Sequence, residues 1–181
     1  YNYHTASKKI LGDLSTPVNV YLRVRDAYPQ SALMECSDYH DNKNSRSFIC
    51  VHPIASVSVE HGMGISRYPD GTETRHAITK DYDTAQLITD FLAQFDIKGT
   101  DKHNCALFGY TTFNAVRYFE NIPVKDTTME KNDAPDIYYI LYKDIIVFDH
   151  YNNTMQLITL GEEAELDDMM KAINKGNVKP Y

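Results

Sequence analysis

Between Ile137 and Phe148 the chain is apolar except at Lys143 and Asp144, and this stretch constrains the fold more than any other. The runs Ile137–Tyr142 and Ile145–Phe148 fall well short of the about 20 residues that a membrane helix needs. They read as two strands, or as one long strand with a bulge near Lys143. Asn152-Asn153 then supports a turn into Thr154–Thr159, which makes a hairpin.

Other segments supply helices and more strands. Thr16 can cap a helix whose first position is Pro17. Val20, Tyr21, Val24, Ala27 and Tyr28 then share a face, and Pro29 stops the helix. Ser31 to Ser37 reads as a strand entering a polar loop, Asp38 to Arg46. Ser47 to Glu60 is strand-like again. There Ala55, Val57 and Val59 alternate with Ser56, Ser58 and Glu60, as in a half-buried strand. Gly62 and Gly64 break that pattern. Tyr68-Pro69-Asp70-Gly71 is a turn signal, which places a hairpin across Ile65–Ile78.

The clearest helix begins at Asp83. Asp83 and Gln86 form a D-x-x-Q variant of the capping box, with Tyr82 and Leu87 placed for a hydrophobic staple. Ile88, Phe91, Leu92 and Phe95 make its buried stripe. Asn104 to Gly109 is strand-like. Thr111 to Glu120 reads as a helix with Ala115, Val116 and Phe119 inward, and Pro123 to Ala134 as a surface loop. Glu162 to Asn174 is a last helix: Leu166, Met169, Met170 and Ile173 share a face, and its acidic first turn suits the helix dipole. Strands and helices mix without regular βαβ alternation. The expected class is α+β, a largely antiparallel sheet with packed helices.

The 181 residues suit one domain, 1–181, with a polar, linker-like tail at 175–181. The formal charge of −7 argues against nucleic acid or an anionic membrane as a partner. Three cysteines cannot all pair within one chain, which excludes a disulfide scaffold and suggests a reducing, cytoplasmic setting. No secretory leader is read at Tyr1.

Catalytic patterns are missing from the sequence. The histidines form no H-x-H or H-E-x-x-H pair, and Cys36, Cys50 and Cys105 form no C-x-x-C. They read as ordinary surface or buried residues, with no metal site expected. Gly62-Met63-Gly64 lacks the third glycine and the helix of a dinucleotide site. Cys36 and His40 would need spatial proof to act as a pair. Asp149 and His150 are adjacent on a strand, so they point to opposite faces and read as a turn entry. Leu33-Met34-Glu35-Cys36-Ser37-Asp38 is richer: an apolar strand ends in an acid and small polar groups, where a carboxylate can receive an α-amino group. A strand end with a solvated acid has the same composition.

Four ordered segments together resemble a family. They are Thr16-Pro17-Val18-Asn19-Val20-Tyr21; Leu33-Met34-Glu35-Cys36-Ser37; Gly109-Tyr110 through Asn114-Ala115-Val116-Arg117-Tyr118-Phe119-Glu120 with Ile122-Pro123; and Pro135-Asp136 through Val147-Phe148-Asp149-His150. Over roughly residues 16 to 160 the chain resembles the N-terminal domain of anthranilate synthase component I. The folate-branch aminodeoxychorismate synthase component I shares that architecture. Its matching segment usually carries Asp where this chain has Glu35, which favours the anthranilate branch.

The resemblance implies an enzyme of tryptophan biosynthesis. Family members convert chorismate, with ammonia from a glutamine amidotransferase partner (component II), to anthranilate and pyruvate. Magnesium and chorismate are held by a C-terminal catalytic domain that this sequence does not include. The chain alone is therefore expected to be inactive and to hold no cofactor. In the family, the segment matching 33–37 lines the feedback site for L-tryptophan. Carried over, Glu35, Cys36 and Ser37 would be contacts, with Leu33 and Met34 as flanking wall. Cys36 replaces the family's serine and is a weaker hydrogen-bonding group. A freestanding amino-acid-binding module is the alternative of another class.

Overall fold

The computed structural model describes residues 1–12, 15–36, 45–120 and 134–175. Its strands are β1 (Asn2–His4), β2 (Ala6–Leu11), β3 (Ala32–Cys36), β4 (Arg46–Glu60), β5 (Met63–Arg67), β6 (Glu73–Ala77), β7 (Asp96–Lys98), β8 (Leu107–Thr111), β9 (Ile137–Asp149) and β10 (Thr154–Thr159). The helices are α1 (Pro17–Ala27), α2 (Thr84–Ala93) and α3 (Ala164–Lys175). The strands order β2-β10-β9-β4-β5-β6, with β3 on β4 and β8 on β9, and β1 pairs with β7 separately. The pairs β2–β10, β10–β9, β3–β4, β4–β5, β5–β6 and β8–β9 are antiparallel, so the α+β expectation holds. Among the described residues no helix is long and apolar enough to cross a membrane.

Two compact units divide the chain. Unit I takes Tyr1, Ile54–Asp96 and Leu107–Leu141; unit II takes Asn2–Pro53, Ile97–Ala106 and the chain from Tyr142 onward. The apolar stretch that opens the sequence is the single strand β9. Its first half pairs with β8, Leu141 opposite Leu107, in unit I. Its second half pairs with β10, Phe148 opposite Met155, in unit II.

The core of unit II combines Val20 and Val24 of α1, Ile49 and Val51 of β4, Ile146 and Phe148 of β9, Met155 and Leu157 of β10, and Leu166, Met169 and Ile173 of α3. Each such side chain contributes about 1.5–3 kcal/mol by leaving water. Thr16 caps α1 as the sequence suggests, its hydroxyl accepting from Asn19 N at 3.2 Å. The N-terminal strand β2, which carries no clear sequence signal, adds to the free edge of β10 with Ile10 opposite Met155. Lys8 and Lys9 stand exposed on it, and charge on an edge strand opposes further pairing.

In unit I, β4, β5 and β6 make two successive hairpins. The Tyr68–Gly71 turn forms as expected, with Gly71 at φ 83° and Arg67 opposite Glu73. The other turn is the pair His61-Gly62, at φ 49° and 76°, between Glu60 and Met63. Here Gly62 makes a tight connection and does not simply end a strand. Helix α2 lies on β5 at Gly64, where a Cβ would come within 2.7 Å of the Leu87 side chain. Phe91 stacks on Tyr68 at 5.6 Å and tilts against Phe95 at 5.1 Å.

Four expectations are corrected. Ser56 and Ser58 are buried along with Val57 and Val59, so this part of β4 is covered on both faces. Asp83 accepts from Gln86 N at 2.8 Å, but the Gln86 side chain donates to Asp90 instead of closing a capping box. Phe91 of the expected stripe is buried, but Leu92 is 48% exposed, and Thr84 and Leu87 are the other residues that α2 buries. Thr111 to Glu120 forms only a 3-10 turn, Phe113–Tyr118, in which Ala115 is buried while Phe119 points outward. The tighter winding of a 3-10 turn rotates successive side chains away from the α-helical stripe. The expected loops fall mainly on 37–44 and 121–133, outside the described residues, as does the tail beyond Lys175.

Candidate functional site

The acidic strand end singled out in the sequence lies in unit II. Strand β3 pairs with the first residues of β4: Leu33 faces Ile49, Met34 faces Phe48, Glu35 faces Ser47 and Cys36 faces Arg46. Side chains alternate along a strand, so Leu33 and Glu35 share one face and Met34 takes the other. Leu33 packs on the core beside α1. It anchors the strand, and two residues on Glu35 stands exposed. Met34 is half-buried. Ser37 lies outside the described residues.

Opposite Glu35, Ser47 is buried, and its hydroxyl meets His150 Nε2 at 2.7 Å. The His150 amide donates to Ser45 O at 3.1 Å, so the β9–β10 turn is tied to the start of β4. Asp149 works elsewhere. Its carboxylate accepts from the amides of Tyr151 (3.0 Å) and Asn152 (3.1 Å) and from Asn152 Nδ2 (2.8 Å). Burial pushes this carboxyl up, but the bonds from Asn152 and Tyr151 outweigh it and hold it below the ordinary value. The two neighbours therefore act separately: β9 ends at Asp149, and His150 lies in the turn, as the turn-entry reading expects. The strand end thus offers a solvent-facing carboxylate on a backbone that is paired to β4 and braced by Leu33.

Two other places were not legible from the sequence. In unit I a cavity of about 410 Å³ is lined by Tyr68, Thr74, His76, Tyr82 and Asp90 among others. The Tyr82 hydroxyl donates to Asp90 at 2.8 Å; burial, then that bond, push the phenol up to about 12. In unit II a cavity of about 440 Å³ is bordered by Tyr28, Pro29, Gln30, His52 and Pro53. The His52 ring lies edge-on to Tyr28 at 4.6 Å and reaches the buried carboxylate of Asp144. Only the unusual backbone of a His-Pro pair inside a strand pattern could have hinted at it.

No protein-family model matches the chain. Curated relatives do. Anthranilate synthase component 1 of Pseudomonas putida is 28% identical over 166 residues, covering 91% of this chain and 33% of that protein. The protein of the same name from Acinetobacter calcoaceticus is 28% identical over 185 residues, 97% of this chain and 36% of its own length. That of Thermus thermophilus is 24% identical over 164 residues, 87% and 32% respectively. The chain spans about a third of the length of the curated relatives it matches. Along nearly all of its residues this chain is similar to proteins named anthranilate synthase component 1.

Proposed function

We propose that this chain is the tryptophan-sensing part of an anthranilate synthase that converts chorismate and ammonia to anthranilate and pyruvate. The observation that carries this reading is Glu35: an exposed carboxylate at the end of β3, held in register against Ser47 and braced by Leu33 on the core. Free tryptophan presents an ammonium and an indole. Glu35 supplies the acceptor for the ammonium; the family resemblance assigns Cys36 and Ser37 as the further contacts, with Leu33 and Met34 as flanking wall. The length of the relatives supports a shared pocket whose remaining wall lies outside this chain. The catalytic residues, the magnesium site and the surface for the glutamine amidotransferase partner are assigned to that other part as well. Glu35 in place of Asp supports the anthranilate branch over the folate branch.

Feedback then follows from linkage. An inhibitor shifts a two-state protein only by its difference in affinity for the two states. A rigid strand end that closes on the ammonium in one arrangement and not the other supplies that difference. A charge-assisted hydrogen bond is worth about 1.5–3 kcal/mol, which converts to about ten- to a hundredfold in binding.

The test is tryptophan inhibition of anthranilate formation in a full-length protein carrying this chain. Each variant is read as a fraction of its own uninhibited rate. Glu35→Ala is expected to raise the half-inhibiting tryptophan concentration about tenfold or more. An unchanged inhibition curve removes Glu35 from the site. The 181-residue chain alone is expected to form no anthranilate from chorismate, ammonia and magnesium.

A further inference from the structure

We propose that His52, Asp144 and Glu165 form a binding site for a divalent transition-metal ion of the zinc type. The three side chains come from β4, β9 and the first turn of α3, and their potential ligand atoms lie within 4.8 Å of one another. The Nδ1 atom of His52 faces Asp144 Oδ2. Neither sequence separation nor motif announces the cluster, because folding alone assembles it.

Each member is placed by something specific. His52 takes a left-handed backbone at φ 57° in the middle of β4. A non-glycine residue pays about 1–2 kcal/mol for that conformation. It departs from regular strand geometry where the imidazole meets β9. Asp144 is fully buried, and the Thr159 hydroxyl donates to its Oδ1 at 2.6 Å. That bond fixes the carboxylate and leaves Oδ2 toward His52, as a supporting hydrogen bond orients a metal ligand. Glu165 folds back over Gly161, where any Cβ would collide with its carboxylate. The absence of a side chain at Gly161 is what lets this acid reach the cluster.

The donor set decides the class of ion. One imidazole nitrogen with two carboxylates suits zinc and its neighbours. Magnesium and calcium prefer all-oxygen shells of six or more ligands. Two carboxylates also leave a charge deficit. Lys143 Nζ sits 2.6 Å from Glu165 Oε2 and neutralises one of them. The other is the fully buried Asp144, and a divalent cation at the cluster compensates its carboxylate. The His52 side chain is 40% exposed and borders the cavity of about 440 Å³. Water or a small ligand can therefore complete the coordination, as at open zinc sites.

The experiment titrates the chelator-treated 181-residue chain with Co²⁺ and Zn²⁺. It reads heat by calorimetry and the visible bands that Co²⁺ shows in a low-coordinate site. The expected result is one equivalent bound with a dissociation constant of about 10 μM or lower. His52→Asn keeps a residue that tolerates the left-handed backbone. It and Glu165→Gln are each expected to weaken Co²⁺ binding at least about tenfold. Lys143→Met removes the competing ammonium and is expected to tighten binding, a gain that misfolding cannot mimic. A wild-type chain that takes up no Co²⁺ overturns the site. So does uptake that is the same in His52→Asn and Glu165→Gln as in wild type.

Discussion

Each unit of this chain buries an aspartate, and the two are satisfied in opposite ways. Asp136 in unit I, 3% exposed, is paired with the Arg117 guanidinium. Its carboxylate also accepts from the Tyr118 hydroxyl at 2.9 Å. The same Tyr118 oxygen accepts from the Gly62 amide at 3.0 Å and from Arg117 at 3.0 Å. Even the Asp136 backbone is used: its amide donates to Val59 O, and its carbonyl accepts from Thr112. Asp144 in unit II is as deeply buried, but its partners are a hydroxyl and an imidazole. Arginine is charged at every accessible pH and presents a fork that fits a carboxylate. Histidine is neutral or charged and doubles as a metal ligand. The first arrangement is a lock that pins the β4–β5 turn; the second leaves a carboxylate able to exchange partners.

Removing the cation from the lock is the largest expected effect. Arg117→Met leaves Asp136 buried with a charge it can no longer pair. Breaking such a pair from one side costs about 3–5 kcal/mol. The measurement is urea unfolding of the 181-residue chain, with a lower midpoint at unchanged slope. A loss below about 1 kcal/mol, the scale of a surface pair, breaks the comparison.

Tyr118 sharpens it at a smaller scale. Tyr118→Phe removes one hydroxyl that serves Asp136, Gly62 and Arg117 together, for an expected loss of about 1–1.5 kcal/mol. Burial is the first cause that raises the Tyr118 phenol above its ordinary value of 10, and its bond to Asp136 adds to it. The folded state thus holds this proton more tightly than the unfolded chain. The linked stability is fully present below about pH 10. It is lost as pH rises through the raised value. Unfolding midpoints measured from pH 8 to 11 should fall more steeply for wild type than for Tyr118→Phe. Parallel curves would show that the hydroxyl contributes nothing to the alkaline limb.

How far the sequence reaches depends on distance along the chain. Thr16 and Asp83 were legible as caps because a cap bonds an amide three residues away. The Tyr68–Gly71 turn and the β9–β10 hairpin were legible for the same reason. The outward positions of Leu92 and Phe119 were not, since a stripe of apolar residues does not say what covers it. Strand β2 was not read either. It is a polar edge whose strand character comes from the neighbour it pairs with. At the end of β3, the motif gave Glu35 and its flanks, and the pairing with Ser47 and the hydrogen bond between Ser47 and His150 came only from the fold. Asp144 and His52 are 92 residues apart, and two of the three members of that cluster looked like ordinary residues on a strand.

The smallest expected effect decides whether the contrast between the two aspartates is real. Asp144→Asn keeps the volume and both bonding directions of the side chain. The Thr159 hydroxyl can still donate to the amide oxygen, and the amide nitrogen can still hydrogen-bond the His52 ring. With both hydrogen-bond partners retained, the expected stability change is under about 1 kcal/mol. The equivalent change at Asp136 strands the Arg117 guanidinium and is expected to cost about 3 kcal/mol or more. Urea unfolding of the two asparagine variants side by side provides the measurement. A loss at Asp144 equal to that at Asp136 would mean that the His52 pair is held as an ion pair, a second lock. A small loss at Asp144, in a variant that also gives up Co²⁺, separates a carboxylate kept for binding from one kept for the fold.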